Sequence, residues 1–241
     1  MEITTFPAEP LPSWEAYKAY ISGNLHPVRS RYLFRGLGDE SWRLSTTFDR
    51  TFEGTPDDRR AEIQSLLLAN FRKECEHYPE YEELIQDDVL CLALAQHHGL
   101  PTRLLDWTES PYVAAYFAFQ AHLVKDGDPK KSVAIWILDK TVRRYWSGEY
   151  GVRLIAPVTW HNERLRRQFG WFTLAQVPYR SLEEYVVAMN NRENALRKLT
   201  LPASEAERAL SDLDLMGISA RELFADLAGA ARNAYVRTVL G

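Results

Sequence analysis

The chain has 241 residues and a formal net charge of −4, and 46% of its residues are hydrophobic. This length fits one large domain or two small ones, with enough apolar residues to form a core without a disulfide or a metal. The negative charge argues against a broadly basic nucleic-acid surface, although a local basic cleft stays open. The only cysteines, Cys75 and Cys91, fall in apolar helical patterns and are expected to be buried thiols in a reducing compartment.

The N-terminal residues, MEITTFPAEPLPSW, are acidic and proline-rich and do not have the pattern of a signal peptide. No run of the sequence approaches the ~18 apolar residues of a membrane span. We therefore expect a cytoplasmic protein without a membrane partner.

The first predicted elements are a short helix and a strand. Ser13 can cap a helix through WEAYKAYI. RYLFRG, in which aromatic and apolar residues run into a glycine, predicts a short buried strand with Arg35 at its end.

Two longer helices are predicted next. Thr55 followed by Pro56 is a strong helix start, and this helix should run to about Cys75. A second helix is predicted at about 80–98, and its apolar run VLCLALA should make it central to the core.

The middle of the chain predicts one more helix and three strands. Ser110 and Pro111 start the helix, with the serine as N-cap and the proline in the first turn. The strands are predicted at 132–139, 152–157 and 170–178, from their β-branched, aromatic or alternating residues.

The C-terminal segment carries three capping boxes, in which a serine and a glutamate three residues later bond the first amides of a helix. The pairs are Ser181 with Glu184, Ser204 with Glu207, and Ser219 with Glu222. They predict C-terminal helices over about 181–240, after a sheet-containing part at about 28–180. Because helices and strands do not alternate regularly, we expect an α+β fold with a small mixed, mostly antiparallel sheet, and residues 1–241 as a single domain.

A polar stretch interrupts the apolar pattern between residues 94 and 119. Its polar and aromatic members are Gln96, His97, His98, Thr102, Arg103, Asp106, Trp107 and Thr108. Structural interpretations exist, since His97 could cap the preceding helix and Asp106 could pair with Arg103. The density of these residues between two apolar helices favours a functional site on a connecting loop.

Arg35 is a second candidate, because an arginine directly after YLF should be partly buried and then needs a partner. Asp39, Glu40 or Asp106 could be a structural partner. A phosphate could be a functional one, since the planar guanidinium fits its oxygens.

The segment HNERLRRQFGWFTL at 161–174 is a third candidate. Arg164 and Arg166 fit a solvated basic turn, whereas Gln168 lies next to the predicted strand and is expected to point inward. A metal site is not expected, because neighbouring His97 and His98 would leave a helix about 100° apart.

Two stretches carry a resemblance to a known family. YLFRGLGDESWRLSTTFDR together with LAQHHGLPTRLLDWTESPYVAAYFAF resembles the FRG domain, named for its Phe-Arg-Gly triplet. His98 stands where the family commonly has a tyrosine. The segments at 166–172 and 218–236 also resemble family segments, so the resemblance spans nearly the whole chain. It implies a toxin-like or accessory protein of the kind linked to phage defence.

A further resemblance concerns ADP-ribosyltransferases of the Arg-Ser-Glu type. LFRG, then PTRLLDWT before AAYFAF, then RRQFGWF are similar to their three motifs in the same order. This resemblance implies a split-core sheet and NAD as co-substrate, with no metal. The cofactor-binding residues that it implies are Arg35, Gly36, Gln96, Thr102, Arg103, Trp107 and Thr108. Gln168 would stand in place of the usual glutamate, and His97 or Asp106 would move the proton, so these three form the expected catalytic set.

Three functional hypotheses follow. The first is an NAD-dependent ADP-ribosyltransferase or NAD glycohydrolase-like effector, with nucleic acid or protein as acceptor and an antitoxin as partner. The second is a non-catalytic module that recognises a nucleotide or a nucleic acid in the same pocket. The third is a metal-dependent nuclease that uses His97, Asp106 and Glu109.

Overall fold

The computed structural model describes residues 6–25, 30–122, 131–156, 170–175, 178–191, 193–224 and 227–240. Within these ranges, no helix is long and apolar enough to cross a membrane.

The strands of the described residues are β1 (Glu9–Pro10), β2 (Tyr32–Leu37), β3 (Leu104–Thr108), β4 (Ser132–Asp139), β5 (Val152–Ile155), β6 (Gly170–Ala175) and β7 (Leu196–Pro202). They form one open sheet in the order β1-β7-β4-β2-β3-β6-β5. All neighbours pair antiparallel except β1 and β7, which are parallel. The expected mixed, mostly antiparallel sheet is therefore confirmed.

Eleven α-helices of the described residues surround this sheet. They are α1 (Trp14–Tyr20), α2 (Thr47–Thr51), α3 (Asp57–Cys75), α4 (Glu82–Gln86), α5 (Asp88–His97), α6 (Pro111–Phe119), α7 (Arg143–Trp146), α8 (Leu182–Ala188), α9 (Ala206–Leu215), α10 (Ala220–Phe224) and α11 (Leu227–Leu240). Ser13, Ser110 and Ser181 accept the N-terminal amides that the sequence predicted for α1, α6 and α8.

The C-terminal segment contains a strand that the sequence pattern did not predict. β7 pairs along its length with β4, in the interior of the sheet, although 181–240 was predicted to hold helices only. The boxes at Ser181 and Ser219 lie directly before helices, but the box at Ser204 was wrong, because Ser204 lies in a 3₁₀ turn and α9 begins at Ala206 without a side-chain cap. The boxes also carried no information on the residues between them. The alternating LRKLTLP is a strand because β4 offers it a complete hydrogen-bonding edge.

Two apolar layers cover the sheet. On one face, Phe34 and Ile135 pack with α1, α6 and the C-terminal helices. On the other face, Leu33 and Trp136 pack with α7 and α8.

Among the helical residues that the structure describes, those of α6 are the most buried, and its Ala114 and Phe119 are fully enclosed against the sheet. The expectation of one central helix at 80–98 was wrong. That segment divides at Asp87, which caps α5, and its buried side chains join small peripheral clusters that include the thiols Cys75 and Cys91. Both thiols are free, as expected, and burial raises the pKa of each.

Candidate functional site

A cavity of about 370 Å³ lies between α5, α6 and the strands β2 and β3. Its volume falls in the range of about 300–1,000 Å³ that is typical of small-molecule sites. It is lined by Phe34, Arg35, Gly36, Leu37, Gly38, Trp42, Ala93, Gln96, His97, Asp106, Trp107, Thr108, Ala114, Phe117, Gln120 and Phe172.

The cavity opens where β2 and β3 diverge. These strands share one registered pair, Phe34 with Thr108, and no pairing continues to Gly36 and Asp106. Arg35 spans the gap instead, because its Nη1 donates to the main-chain carbonyl of Asp106 at 2.6 Å. The guanidinium thus satisfies a carbonyl that a continued ladder would have paired.

Arg35 also faces the carboxylate of Asp106, with Nη1 3.6 Å from Oδ2. Asp106 was one of three structural partners that the sequence left open. The prediction that Arg35 stands at the end of the strand was wrong: it lies inside β2, because pairing with β4 continues to Leu37. Burial lowers the pKa of the Arg35 guanidinium, the Asp106 carboxylate opposes this shift, and the nearby Arg50 reinforces it.

Gly36 has a packing role in addition to its place in the cavity wall. A Cβ at this position would lie 1.8 Å from the main-chain oxygen of Ala114 in α6. The absence of a side chain lets the helix lie directly on the strand. The Phe-Arg-Gly triplet therefore supplies three different contacts: Phe34 to the core, Arg35 to Asp106, and Gly36 to α6.

The second half of the polar stretch is a strand, not the connecting loop that the sequence suggested. β3 pairs with β6 over its whole length, with Asp106 opposite Phe172. Alternation along β3 leaves the Asp106 carboxylate 57% exposed towards the cavity. Trp107, which is buried, donates through Nε1 to Thr173 Oγ1 at 3.1 Å.

Gln96 links α5 to this carboxylate. Its Nε2 donates to Asp106 Oδ1 at 2.8 Å, and its Oε1 accepts from the Thr102 hydroxyl. Thr102 is buried and also accepts from Leu104 N at 3.3 Å. Among the cofactor-binding residues expected from the sequence, Thr102 therefore lies behind Gln96 and does not line the cavity.

Arg103 does not pair with Asp106, and it does not line the cavity. It is fully buried and donates to Tyr179 O at 3.2 Å and to Asp49 Oδ1 at 3.4 Å. The same carboxylate bonds the fully buried Arg60. Burial lowers the pKa of Arg103, whereas the Asp49 carboxylate raises it. We call Asp49, Arg60 and Arg103 the buried arginine cluster.

His97 and Thr108, two of the candidate site residues, both line the cavity. His97 is exposed, and its ring lies 5.1 Å from that of His98 at nearly a right angle. His98 is outside the lining and contacts Tyr81 edge to face at 6.4 Å. Gln168 and the arginines of 161–169 lie outside the described residues, so their expected roles stay predictions.

The sequence pattern does not predict several of the wall residues. Trp42 is 56% exposed at the cavity, and Phe117, Gln120 and Phe172 also contribute to the lining. The isolated tryptophan in the polar run GDESWR could have signalled a rim residue. The others depend on how α6 and β6 are placed, which a linear pattern does not contain.

Glu109, named in the nuclease hypothesis, is held elsewhere. Its Oε1 accepts from Lys140 Nζ at 2.8 Å and from Trp171 Nε1 at 3.1 Å, and it is not part of the lining. Within the described residues no group of three or more His, Cys, Asp or Glu side chains is placed to hold a metal ion.

Comparison with known proteins gives one finding. Residues 30–127 match the family model described as the FRG domain. No curated protein and no solved structure matched the chain. The matched segment supplies every residue of the cavity lining except Phe172. The part of the chain that builds the candidate site is therefore similar to the FRG domain, which supports the FRG family for this protein.

Proposed function

We propose that the cavity binds NAD and that the protein cleaves its nicotinamide–ribose bond, as an ADP-ribosyltransferase or NAD glycohydrolase-like effector. The observation that carries this proposal is the placement of Arg35 and Asp106 side by side in one cavity, where β2 and β3 separate. A cation and a carboxylate are the two charges that a dinucleotide glycosyl transfer needs.

The guanidinium is suited to the pyrophosphate of the ligand. Arg35 is 21% exposed, and its Nε has no hydrogen-bond partner among the described residues. Burial without full compensation favours an incoming anion, and arginine bonds phosphate oxygens in a bidentate manner. The aromatic side chains of Trp42, Phe117 and Phe172 offer flat surfaces to the bases.

The carboxylate is suited to the reacting ribose. Heterolysis breaks the bond between ribose C1′ and the nicotinamide nitrogen, and nicotinamide leaves with the electron pair. Asp106 would stabilise the positive charge that develops on the ribose. Water or the hydroxyl of an acceptor then bonds to C1′ and loses a proton, for which His97 lies in the same cavity wall.

The test is release of nicotinamide from NAD by the purified protein, together with transfer of labelled ADP-ribose to cellular RNA, DNA and protein. We expect Arg35→Ala and Asp106→Asn to abolish release, and Arg35→Lys to retain part of it because the charge remains. Absence of both nicotinamide release and NAD binding in the native protein would refute the proposal.

A second candidate is recognition of a nucleotide or nucleic acid without turnover. It is favoured by the contact between Arg35 and Asp106, since a cation and a carboxylate held side by side can serve as a preformed ligand clamp. NAD would then raise the melting temperature without release of nicotinamide. Formation of any covalent product excludes this candidate. An antitoxin partner belongs to the effector proposal and is tested by co-purification from the native host.

A further inference from the structure

Thr102, Gln96 and Asp106 form a hydrogen-bond chain that ends in the cavity. At 2.8 Å from a carboxylate oxygen, Gln96 must present a donor, so its Nε2 faces Asp106 and its Oε1 faces Thr102. The Thr102 hydroxyl accepts from Leu104 N, and its own proton is thereby directed to Gln96 Oε1. Every donor in the chain points towards Asp106.

The polarity of the chain determines what Asp106 offers a ligand. Oδ1 accepts from Gln96, and Oδ2 lies opposite the positive charge of Arg35. Both oxygens of the carboxylate thus face donors of the protein, and a carboxylate oxygen is a hydrogen-bond acceptor. A ligand group that meets Asp106 must therefore be a donor.

We infer that Thr102 is a positioning residue that, through Gln96, holds Asp106 as an acceptor for a ribose hydroxyl. The inference rests on the proposed function for the identity of the ligand, but the hydrogen-bond chain exists without it. It assigns Thr102 a role different from direct ligand contact, which its burial precludes. It also makes the terminal ribose of the dinucleotide the part that the site selects.

The first experiment uses the ligand-free protein. Exchange of the Gln96 side-chain amide protons with solvent is measured by NMR in the native protein, Thr102→Val and Thr102→Ser. We expect exchange at least about tenfold faster in the valine variant, because Oε1 loses its donor, and native-like exchange in the serine variant, which restores the hydroxyl. Unchanged exchange in Thr102→Val overturns the positioning role.

The second experiment compares binding of ADP-ribose with binding of ADP, which lacks the terminal ribose. The native protein should prefer ADP-ribose at least about tenfold, the value of one hydrogen bond to a charged group. Thr102→Val should lose this preference without loss of ADP affinity, whereas Thr102→Ser keeps it. Undiminished preference in Thr102→Val contradicts the inference.

One outcome separates this inference from the proposed function. If Gln96 exchange responds to Thr102→Val but neither ligand binds, the NAD proposal and the ribose assignment fail while the positioning chain stands. If Thr102→Val does not fold, Gln96→Met interrupts the same chain at a half-buried position. It should lose the preference for ADP-ribose to the same extent, and retention of that preference overturns the inference.

Discussion

Arg103 and Asp106 are three residues apart in one motif, yet they belong to regions with opposite properties. Arg103 lies in the buried arginine cluster, where two enclosed guanidiniums share the Asp49 carboxylate. Asp106 lies in the cavity, with Arg35 and Gln96 as neighbours and more than half of its side chain exposed. Both regions pair arginine with aspartate. Burial is what distinguishes the structural ion pair of the cluster from the candidate site in the cavity.

The two regions differ in whether their carboxylate remains accessible to a ligand. In the buried arginine cluster, Thr46 donates to the second oxygen of Asp49 at 2.7 Å, and both guanidiniums lie over the ring of Phe48. In the cavity, the Asp106 carboxylate contacts Arg35 and Gln96 on one side and is exposed to solvent on the other. We therefore expect substitutions in the cluster to cost stability and substitutions in the cavity to cost function.

The largest expected effect is from Asp49→Asn. The loss of this carboxylate leaves Arg60 and Arg103 buried without their shared counter-charge, which should cost about 3–5 kcal/mol of unfolding free energy. Urea denaturation measures it. The control is Asp57→Asn, which removes a 45% exposed carboxylate from the same Arg60 and should cost about 1 kcal/mol or less. Equal losses in both variants would remove the distinction between buried and exposed pairs.

Gly36→Ala should have the next largest effect on stability. Its Cβ would collide with the main chain of Ala114, so β2 or α6 must shift at a cost of about 1–3 kcal/mol. Gly38→Ala is the matched control in the same cavity wall, because its Cβ would meet Ala121 at an ordinary 3.4 Å. Calorimetry should show a lower melting temperature for the first variant only.

Asp106→Asn should show the reverse profile. We expect unfolding free energy within about 1 kcal/mol of the native value, since the side chain is exposed, and nicotinamide release reduced at least about 100-fold. Glu109→Gln removes a carboxylate that lies outside the cavity lining and should leave release within about twofold. A large stability loss in Asp106→Asn would place this residue with the buried arginine cluster instead.

The smallest expected effect concerns an ion pair outside both regions. Lys18 and Trp14 donate to Asp212 and lower its pKa. Its stabilisation is present above the unfolded pKa of about 3.9 and is lost as the pH falls through the lower folded value. Asp212→Asn should therefore weaken the fall of the melting temperature at acid pH. The corresponding loss of unfolding free energy at neutral pH should be less than about 1 kcal/mol. An unchanged acid limb contradicts this assignment.

Much of the fold was predictable where local signals were strong. The strand at 132–139 has the predicted bounds because its apolar run is enclosed on both faces. Ser110 and Ser181 cap their helices because a serine in an extended conformation can reach the next amides regardless of tertiary context.

The remaining features depend on long-range pairing. LLDWT is too short to indicate a strand by itself, and β3 exists because β6 pairs with each of its residues. The same pairing decides that Asp106 faces the cavity, and the position of α2 decides that Arg103 meets Asp49. The sequence placed both residues in one site because their separation along the chain carries no information about which face each would occupy.

The single registered pair between Phe34 and Thr108 divides the sheet into two hydrogen-bonded ladders. One ladder joins β2 to β4 and β7 through long registers, and the other joins β3 to β5 and β6. Such ladders can open as separate cooperative units in amide hydrogen exchange. We expect slow amide exchange throughout β4 and faster exchange in β5 and β6. The cavity lies at the junction of β2 and β3, so the separation of the two ladders there sets its width.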